Sequence, residues 1–297
     1  MKDFIILTDS ASDINEIQAA EWGTPVHAMT YIVDSKVYVN NPDHSEFPIS
    51  DFYAALKGGA KASTSAINIG DFIDFFTPYL KDGKDIVYVC FSSGLSATYQ
   101  NALNAAAELK EDFPDSRIEV VDSLCASFGQ GLLVYLCAEK KKNGATIDEV
   151  VAYAEEIKHN ICHEFTVDDL GQLKRGGRIS AAAAFFGSML QIKPMLFVDT
   201  IGKLSAYDKV RSRRNALRKL ADMIIGEIDI DAGAPIFISH GDCIDDVNLF
   251  IDMIKEKYPD VKLVINYIGP VIGAHSGYKT LAVFCVGQGR GEARLGK

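Results

Sequence analysis

The sequence predicts an α/β protein of two domains: an N-terminal parallel sheet flanked by helices, then a C-terminal α+β domain with a mixed sheet. Three observations predict it. Short apolar runs alternate with helical segments as far as residue 142, the pattern of a parallel sheet with covering helices. Polar turns (Thr8-Asp9-Ser10, Ser92-Ser93, Asp122-Ser123) follow successive apolar runs, so they gather on the sheet edge where open α/β folds bind ligands. Past residue 160 the alternation gives way to strands with longer, irregular connections. The change of pattern lies near residues 143–162, and the expected domains are 1–155 and 156–297.

Residues 4–7 read as a short buried strand, followed by a polar turn and a helix over 14–20. A second strand is expected over 26–33. Ser50 or Asp51 caps a helix through residue 56. The hydroxyl cluster Ser63-Thr64-Ser65 precedes a helix over 70–80. A buried strand over 86–90 leads into a helix opening at Ser96, and 118–121 is a further strand. A long helix over 129–142 stops at Asn143-Gly144, and Thr146 caps the next, over 147–158. Strands are then expected at 165–167 and 194–198, with Ile201-Gly202-Lys203 as a hairpin turn. Strands at 235–239 and 261–265 surround a helix over 244–257, and 281–286 is the last strand.

The chain has 297 residues, 48% of them apolar, which suffices for two packed cores. Its net charge of −10 argues against general nucleic-acid binding and against rest on an anionic membrane. The apolar stretch 181–190 is short and is interrupted by Gly187 and Ser188, so no stable membrane insertion is expected. The N-terminus runs straight into a strand without a signal-peptide pattern. The six cysteines form no C-x-x-C pair. A reduced, cytoplasmic setting is the expectation.

Residues 91–99 carry the strongest functional pattern. Five hydroxyl side chains (Ser92, Ser93, Ser96, Thr98, Tyr99) crowd a strand-to-helix turn, where free N–H groups and a helix dipole favour an anion. No Lys or Arg stands between Asp85 and Lys110, so this is no Walker-type phosphate loop. Neutral donors suit a single carboxylate. A lone Ser96 would ordinarily be an N-cap; two neighbouring serines and the second cluster at Thr64 weigh against that simpler role. A nucleophile is the enzymatic alternative, because Gly94-Leu95-Ser96-Ala97-Thr98 approaches G-x-S-x-G. His275 and acids such as Asp242 follow in permissible order for a serine hydrolase.

Three further segments carry charged or titratable groups. Residues 269–277 read as a glycine-rich loop around His275, a candidate donor to a bound anion. Arg175 and Arg178 flank Gly176-Gly177 before a helix capped by Ser180, a possible contact for an anion or partner. Residues 181–190 then read either as core or as the wall of an apolar tunnel. His159, Cys162, His163 and Glu164 sit where a helix gives way to a strand, without further ligands, so no metal is expected. Arg211, Arg213, Arg214, Arg218 and Lys219 form a solvated helix face or a docking surface for an acidic or phosphate-bearing partner.

Taken in order, these pieces resemble the DegV family of fatty-acid-binding proteins. The likeness is carried by Thr8-Asp9-Ser10-Ala11-Ser12-Asp13, Thr64-Ser65-Ala66-Ile67-Asn68, the segment from Ser92 to Tyr99, and Val121-Asp122-Ser123. Leu173-Lys174-Arg175-Gly176-Gly177-Arg178-Ile179, Ile192-Lys193-Pro194 and the segment from Gly269 to Gly277 complete it. The resemblance implies a carrier without chemistry or cofactor of its own, enclosing one long-chain fatty acid between two domains. It implies that Thr64 and Ser96 hold the carboxylate, with Ser93 and His275 close by. It also implies delivery of the acid to a separate ATP-dependent fatty acid kinase serving phospholipid synthesis. Two departures stand out: Ala97 where glycine is common, and Ser276-Gly277-Tyr278-Lys279 in place of an ending richer in glycine and proline.

Overall fold

A computed structural model describes residues 2–168, 170–179 and 192–290. The expected cap at Ser180 and the stretch 181–190 lie outside the described residues.

The chain begins with β1 (Phe4–Asp9), α1 (Glu16–Trp22), β2 (Val26–His27), β3 (Thr30–Val33), β4 (Lys36–Val39) and α2 (Ile49–Lys57). There follow β5 (Ala62–Thr64), α3 (Ile69–Lys81), β6 (Asp85–Cys90), α4 (Thr98–Asp112), β7 (Ile118–Asp122), α5 (Phe128–Lys142) and α6 (Ile147–Ile157). The second half contains β8 (Ile161–Thr166), α7 (Gly171–Arg175), β9 (Ile192–Val198), β10 (Leu204–Arg211), α8 (Arg213–Glu227) and β11 (Ile236–His240). It ends with α9 (Ile244–Lys257), β12 (Leu263–Tyr267), α10 (Pro270–Ser276) and β13 (Leu281–Val286). Among the described residues no helix is long and apolar enough to cross a membrane.

Three sheets organise these elements. The first is parallel, in the order β2-β1-β6-β7. The carboxyl ends of β1, β6 and β7 therefore bring Asp9, Phe91 and Ser123 to one edge, as the polar turns predict. The second sheet has the order β10-β9-β8-β13-β11-β12. Only β11 and β12 run parallel in it; its other neighbours are antiparallel. The mixed sheet expected of the second half is present. The expected boundary after residue 155 falls in the last turn of α6, just before β8.

The third sheet, β4-β3-β5, does not emerge from the sequence. The run 26–33, read there as one strand, is two. β2 adds to the parallel sheet, and the chain then crosses to begin β3. An apolar run shows that a segment is buried in a sheet, but not which sheet supplies its partners.

Helix α5 joins the halves. Its Phe128, Leu132, Leu133 and Val134 are fully buried. They share one core with Phe4, Ile6, Val87 and Val89 of the parallel sheet and with Phe165, Phe237 and Phe284 of the mixed sheet. The Phe128 and Phe237 rings lie 4.4 Å apart, centroid to centroid. Residues 128–134 of α5 are buried on every side, and each buried apolar side chain among them contributes about 1.5–3 kcal/mol. Thr146 caps α6 as expected, and Glu149 completes a capping box with it.

Residues 269–277, read from sequence as a loop, are a short helix. Pro270 takes its first position, where the missing N–H costs nothing. Gly273 lies inside it because a Cβ there would come within 2.7 Å of the Tyr53 hydroxyl oxygen. These residues punctuate a helix packed too closely for side chains, not a turn.

Candidate functional site

A cavity of about 210 Å³ opens between the two halves of the chain. The N-terminal half lines it with Met29, Thr64, Phe91, Leu95, Ser96 and Ala126. The C-terminal half contributes Phe165, Leu204, Val271, Ala282 and Phe284, with His163 and His275. Among the described lining residues only Arg178 carries a full charge.

The polar groups form one continuous arc. Thr64 ends β5, and its Oγ1 lies 2.8 Å from His275 Nε2 in the last turn of α10. The other face of that imidazole abuts Gly176, where a Cβ would fall 2.2 Å from His275 Nδ1. The Gly176 carbonyl accepts a hydrogen bond from Arg178, whose Nε donates to the Leu95 carbonyl at 3.3 Å. Ser96 is the next residue. Its Oγ accepts from the Thr98 N–H at 3.2 Å and lies 2.8 Å from Thr98 Oγ1. Thr64 and Ser96 thus belong to one wall, as the sequence expects. The N-cap of α4 is Ala97, so Ser96 is not the cap that the simpler reading expects, and it lines the cavity.

The cavity has two distinct ends. Ser65, Ala66 and Ala97 line it and are exposed, so the mouth lies beside Thr64 and Ser96. His163, Phe165, Ala282 and Phe284 are buried and form its depth. His163 and Phe284 meet edge to face, with ring centroids 5.2 Å apart.

Both histidines of the wall are neutral at pH 7. Burial, with Arg178 nearby, brings His275 down to about 4. Burial, aided by Arg290, pushes His163 well below its ordinary value. His163 Nδ1 lies 2.9 Å from the Ile161 carbonyl, and its Nε2 accepts from the Ala126 N–H at 3.4 Å. Cys162, adjacent on the strand, points to the opposite face and cannot share a ligand with it. Among the described residues no group of three potential metal ligands occurs.

The tautomer of His275 sets what Thr64 can do. Nδ1 is buried without a hydrogen-bond partner. With the proton on Nε2, His275 donates to Thr64 Oγ1, and the threonine hydroxyl is free to donate into the cavity. Thr64, Ser96 and Arg178 then place hydrogen-bond donors in the cavity wall.

Other expected contacts fall elsewhere. Ser93 is exposed and outside the described cavity wall; its N–H donates to Asp122 Oδ1 at 3.1 Å. Arg175, at the end of α7, is exposed and also outside that wall. Within the basic stretch, Arg213 turns inward to Asp246 at 2.9 Å, and Lys219 pairs with Asp208 at 3.1 Å. Sequence reading missed the deep walls from β8, β10 and β13. Their apolar residues look like any core strand, and only the space left between the sheets distinguishes them.

The serine-hydrolase arrangement is not assembled here. His275 Nε2 is engaged by Thr64, and its Nδ1 has no acid to orient it. Ser96 pairs with Thr98. A nucleophile needs its base within hydrogen-bond reach and the base held by a third group.

Comparison with known proteins agrees with this architecture. A family model described as an uncharacterised protein of the DegV family matches residues 3–288. A DegV domain-containing protein of Clostridium perfringens is 44% identical over 287 residues, covering 97% of this chain and 98% of the relative. The crystal structure of a DegV lipid binding protein from Thermotoga maritima superposes with a TM-score of 0.84 at 25% identity, covering 97% of this chain and 100% of that one. DegV from Bacillus subtilis, described as a fatty acid binding protein, gives 0.79 at 26% identity, with 96% and 99% covered. With the match spanning both sheets and the cavity between them, the chain belongs to the DegV family.

Proposed function

We propose that this protein binds one long-chain fatty acid, tail inward and carboxylate at the mouth, and presents it to a fatty acid kinase. One observation carries the reading: the arc from Thr64 through His275 and Arg178 to Ser96 stands at the open end of a mostly apolar cavity. The relatives from Thermotoga maritima and Bacillus subtilis, described as binding lipid and fatty acid, support it.

The energetics divide the labour. Burying a C16 tail removes about fifteen carbon groups from water, on the order of 12 kcal/mol gross at ~0.8 each. Association entropy takes back a large part. Hydrogen bonds to the charged head contribute about 1.5–3 kcal/mol each, against the cost of desolvating it. The tail therefore dominates affinity, and the head-group donors fix orientation. A carboxylate left beside exposed Ser65, Ala66 and Ala97 is within reach of a partner enzyme. The protein supplies no nucleophile or metal in this scheme; phosphorylation belongs to the kinase.

The deciding experiment is solvent extraction of the purified, denatured protein followed by mass spectrometry. Stoichiometric long-chain fatty acid is the expected result. Absence of any co-purifying acid, together with no uptake by delipidated protein, overturns the proposal. A fluorophosphonate probe that labelled Ser96 would favour the hydrolase instead.

A further inference from the structure

We infer that Asp9 and Asp13, two buried carboxyl groups in the turn after β1, are positioning residues that set the two arms of the head-group site. The inference rests on the fatty-acid reading above and deepens it. Neither residue is in the described cavity wall.

Each carboxyl group reaches a different arm. Asp9 Oδ1 accepts from the Ala11 N–H at 3.1 Å, closing its own turn. Its Oδ2 accepts from the Tyr88 hydroxyl at 2.8 Å and from the Phe91 N–H at 3.1 Å. Phe91 is the first residue of the segment that delivers Ser96. Asp13, held in the left-handed region at φ 55°, serves the other arm. Its Oδ1 accepts from the Gly269 N–H at 2.8 Å. Gly269 is the N-cap of α10, which carries His275 in its last turn. The Asp13 Oδ2 shares a short hydrogen bond with Ser127 Oγ, which lies 2.9 Å from Ser239 Oγ. Ser127 opens α5 and lines the cavity.

One short turn thus gives a common reference to Ser96 and His275, which come from opposite halves of the chain. The fit is tight: a Cβ on Gly269 would fall 2.9 Å from Asp13 Oδ1. Buried carboxyl groups without a cationic partner are costly to retain. Apolar packing would serve stability better if stability were their role. Burial pushes Asp13 up to about 8, which favours the protonated acid at pH 7, and asparagine is its neutral isostere. The amide keeps the acceptor for Gly269 and offers an N–H donor where the acid has its O–H.

The test compares delipidated wild type, Asp13→Ala and Asp13→Asn for binding of hexadecanoic acid and hexadecanol, by displacement of a fluorescent fatty acid. The expected result is that Asp13→Ala narrows the preference for acid over alcohol about tenfold, the scale of one hydrogen bond to a charged group. Alcohol affinity stays within twofold, and Asp13→Asn retains the wild-type preference. An Asp13→Ala protein with unchanged preference, or with parallel losses for acid and alcohol, overturns the inference. Should Asp13→Ala fail to fold, Asp13→Ser decides in its place. It keeps a hydroxyl in the polar space but cannot span Gly269 and Ser127. A wild type that shows no preference for the acid defeats the fatty-acid reading itself, a different failure from that of the variants.

Discussion

Thr64 Oγ1 lies 2.8 Å from His275 Nε2, joining residues 211 apart in sequence. One comes from the edge strand β5, the other from α10. The contact exists only because α10 leaves the mixed sheet and packs against β3 and β5 of the other half. It sets the orientation of a hydroxyl that lines the cavity.

Removing either hydroxyl should cost head-group affinity and leave tail affinity alone. Thr64→Val and Ser96→Ala should each weaken fatty acid binding about tenfold, the scale of one hydrogen bond to a charged group. Binding of the matching fatty alcohol should change little. Phosphorylation by a cognate kinase should fall further than binding, because a loosely held carboxylate is misplaced for transfer. Wild-type phosphorylation by both variants would show that the head lies elsewhere.

Acid should destabilise the protein through its buried imidazoles. The unfolded chain takes up a proton on His275 near 6.5, whereas the folded protein does so only near 4. Between those values the unfolded state binds more protons, so stability is lost as pH falls and is fully present above 6.5. His163 acts in the same direction. In thermal melts at pH 6.5 and pH 4, His275→Gln should lose less Tm over that interval than wild type. An equal loss would mean that His275 already titrates normally in the folded protein.

The depth of the cavity should set chain length. Ala282 lies on β13 at the inner end and is 5% exposed. Ala282→Leu adds three carbons there, at a packing cost of about 1–3 kcal/mol if the walls do not yield. Mass spectrometry of extracted lipid should show a shift toward shorter acyl chains. An unchanged chain-length profile in a folded variant would place the tail along another path.

The turn that carries Ser96 should tolerate no Cβ at Gly94. A Cβ there would fall 2.7 Å from the Ile201 carbonyl oxygen and 2.9 Å from Gly202 backbone atoms. Ser92 Oγ donates to the Gly202 carbonyl at 2.8 Å in the same contact. Gly94→Ala should therefore push the β9–β10 hairpin away, at a cost of about 1–3 kcal/mol in denaturant melts. Fatty acid affinity should fall with it. Wild-type stability would mean that the hairpin yields freely.

Much of this architecture is legible from local pattern. The buried run of β6, the helix cap at Thr146 and the glycine turn at Gly202 announce themselves because their causes lie within a few residues. The crossing from β2 to β3, and the helix at Pro270, do not. The first depends on which sheet offers a partner edge. The second depends on Phe52 and Tyr53 standing close enough to demand glycine inside a helix.

The site divides along the same line. Hydroxyl clusters single out Thr64 and Ser96 as candidates from sequence, but only Ser96 follows a strand of the parallel sheet, whereas Thr64 ends a strand of the antiparallel one. Ser93 has the same chemistry and nearly the same position, yet it is exposed and outside the described cavity wall. Its exclusion is a matter of backbone direction within the turn, to which residue type is blind. By itself the sequence determined the α/β class, most strands of the parallel and mixed sheets and the polar strand ends. Only the tertiary structure decided that α5 packs both sheets into one core, and that Arg178 and His275 stand between the two hydroxyls. The physical reason is separation along the chain. Contacts between residues hundreds of positions apart follow from how whole surfaces pack, and no local preference encodes them.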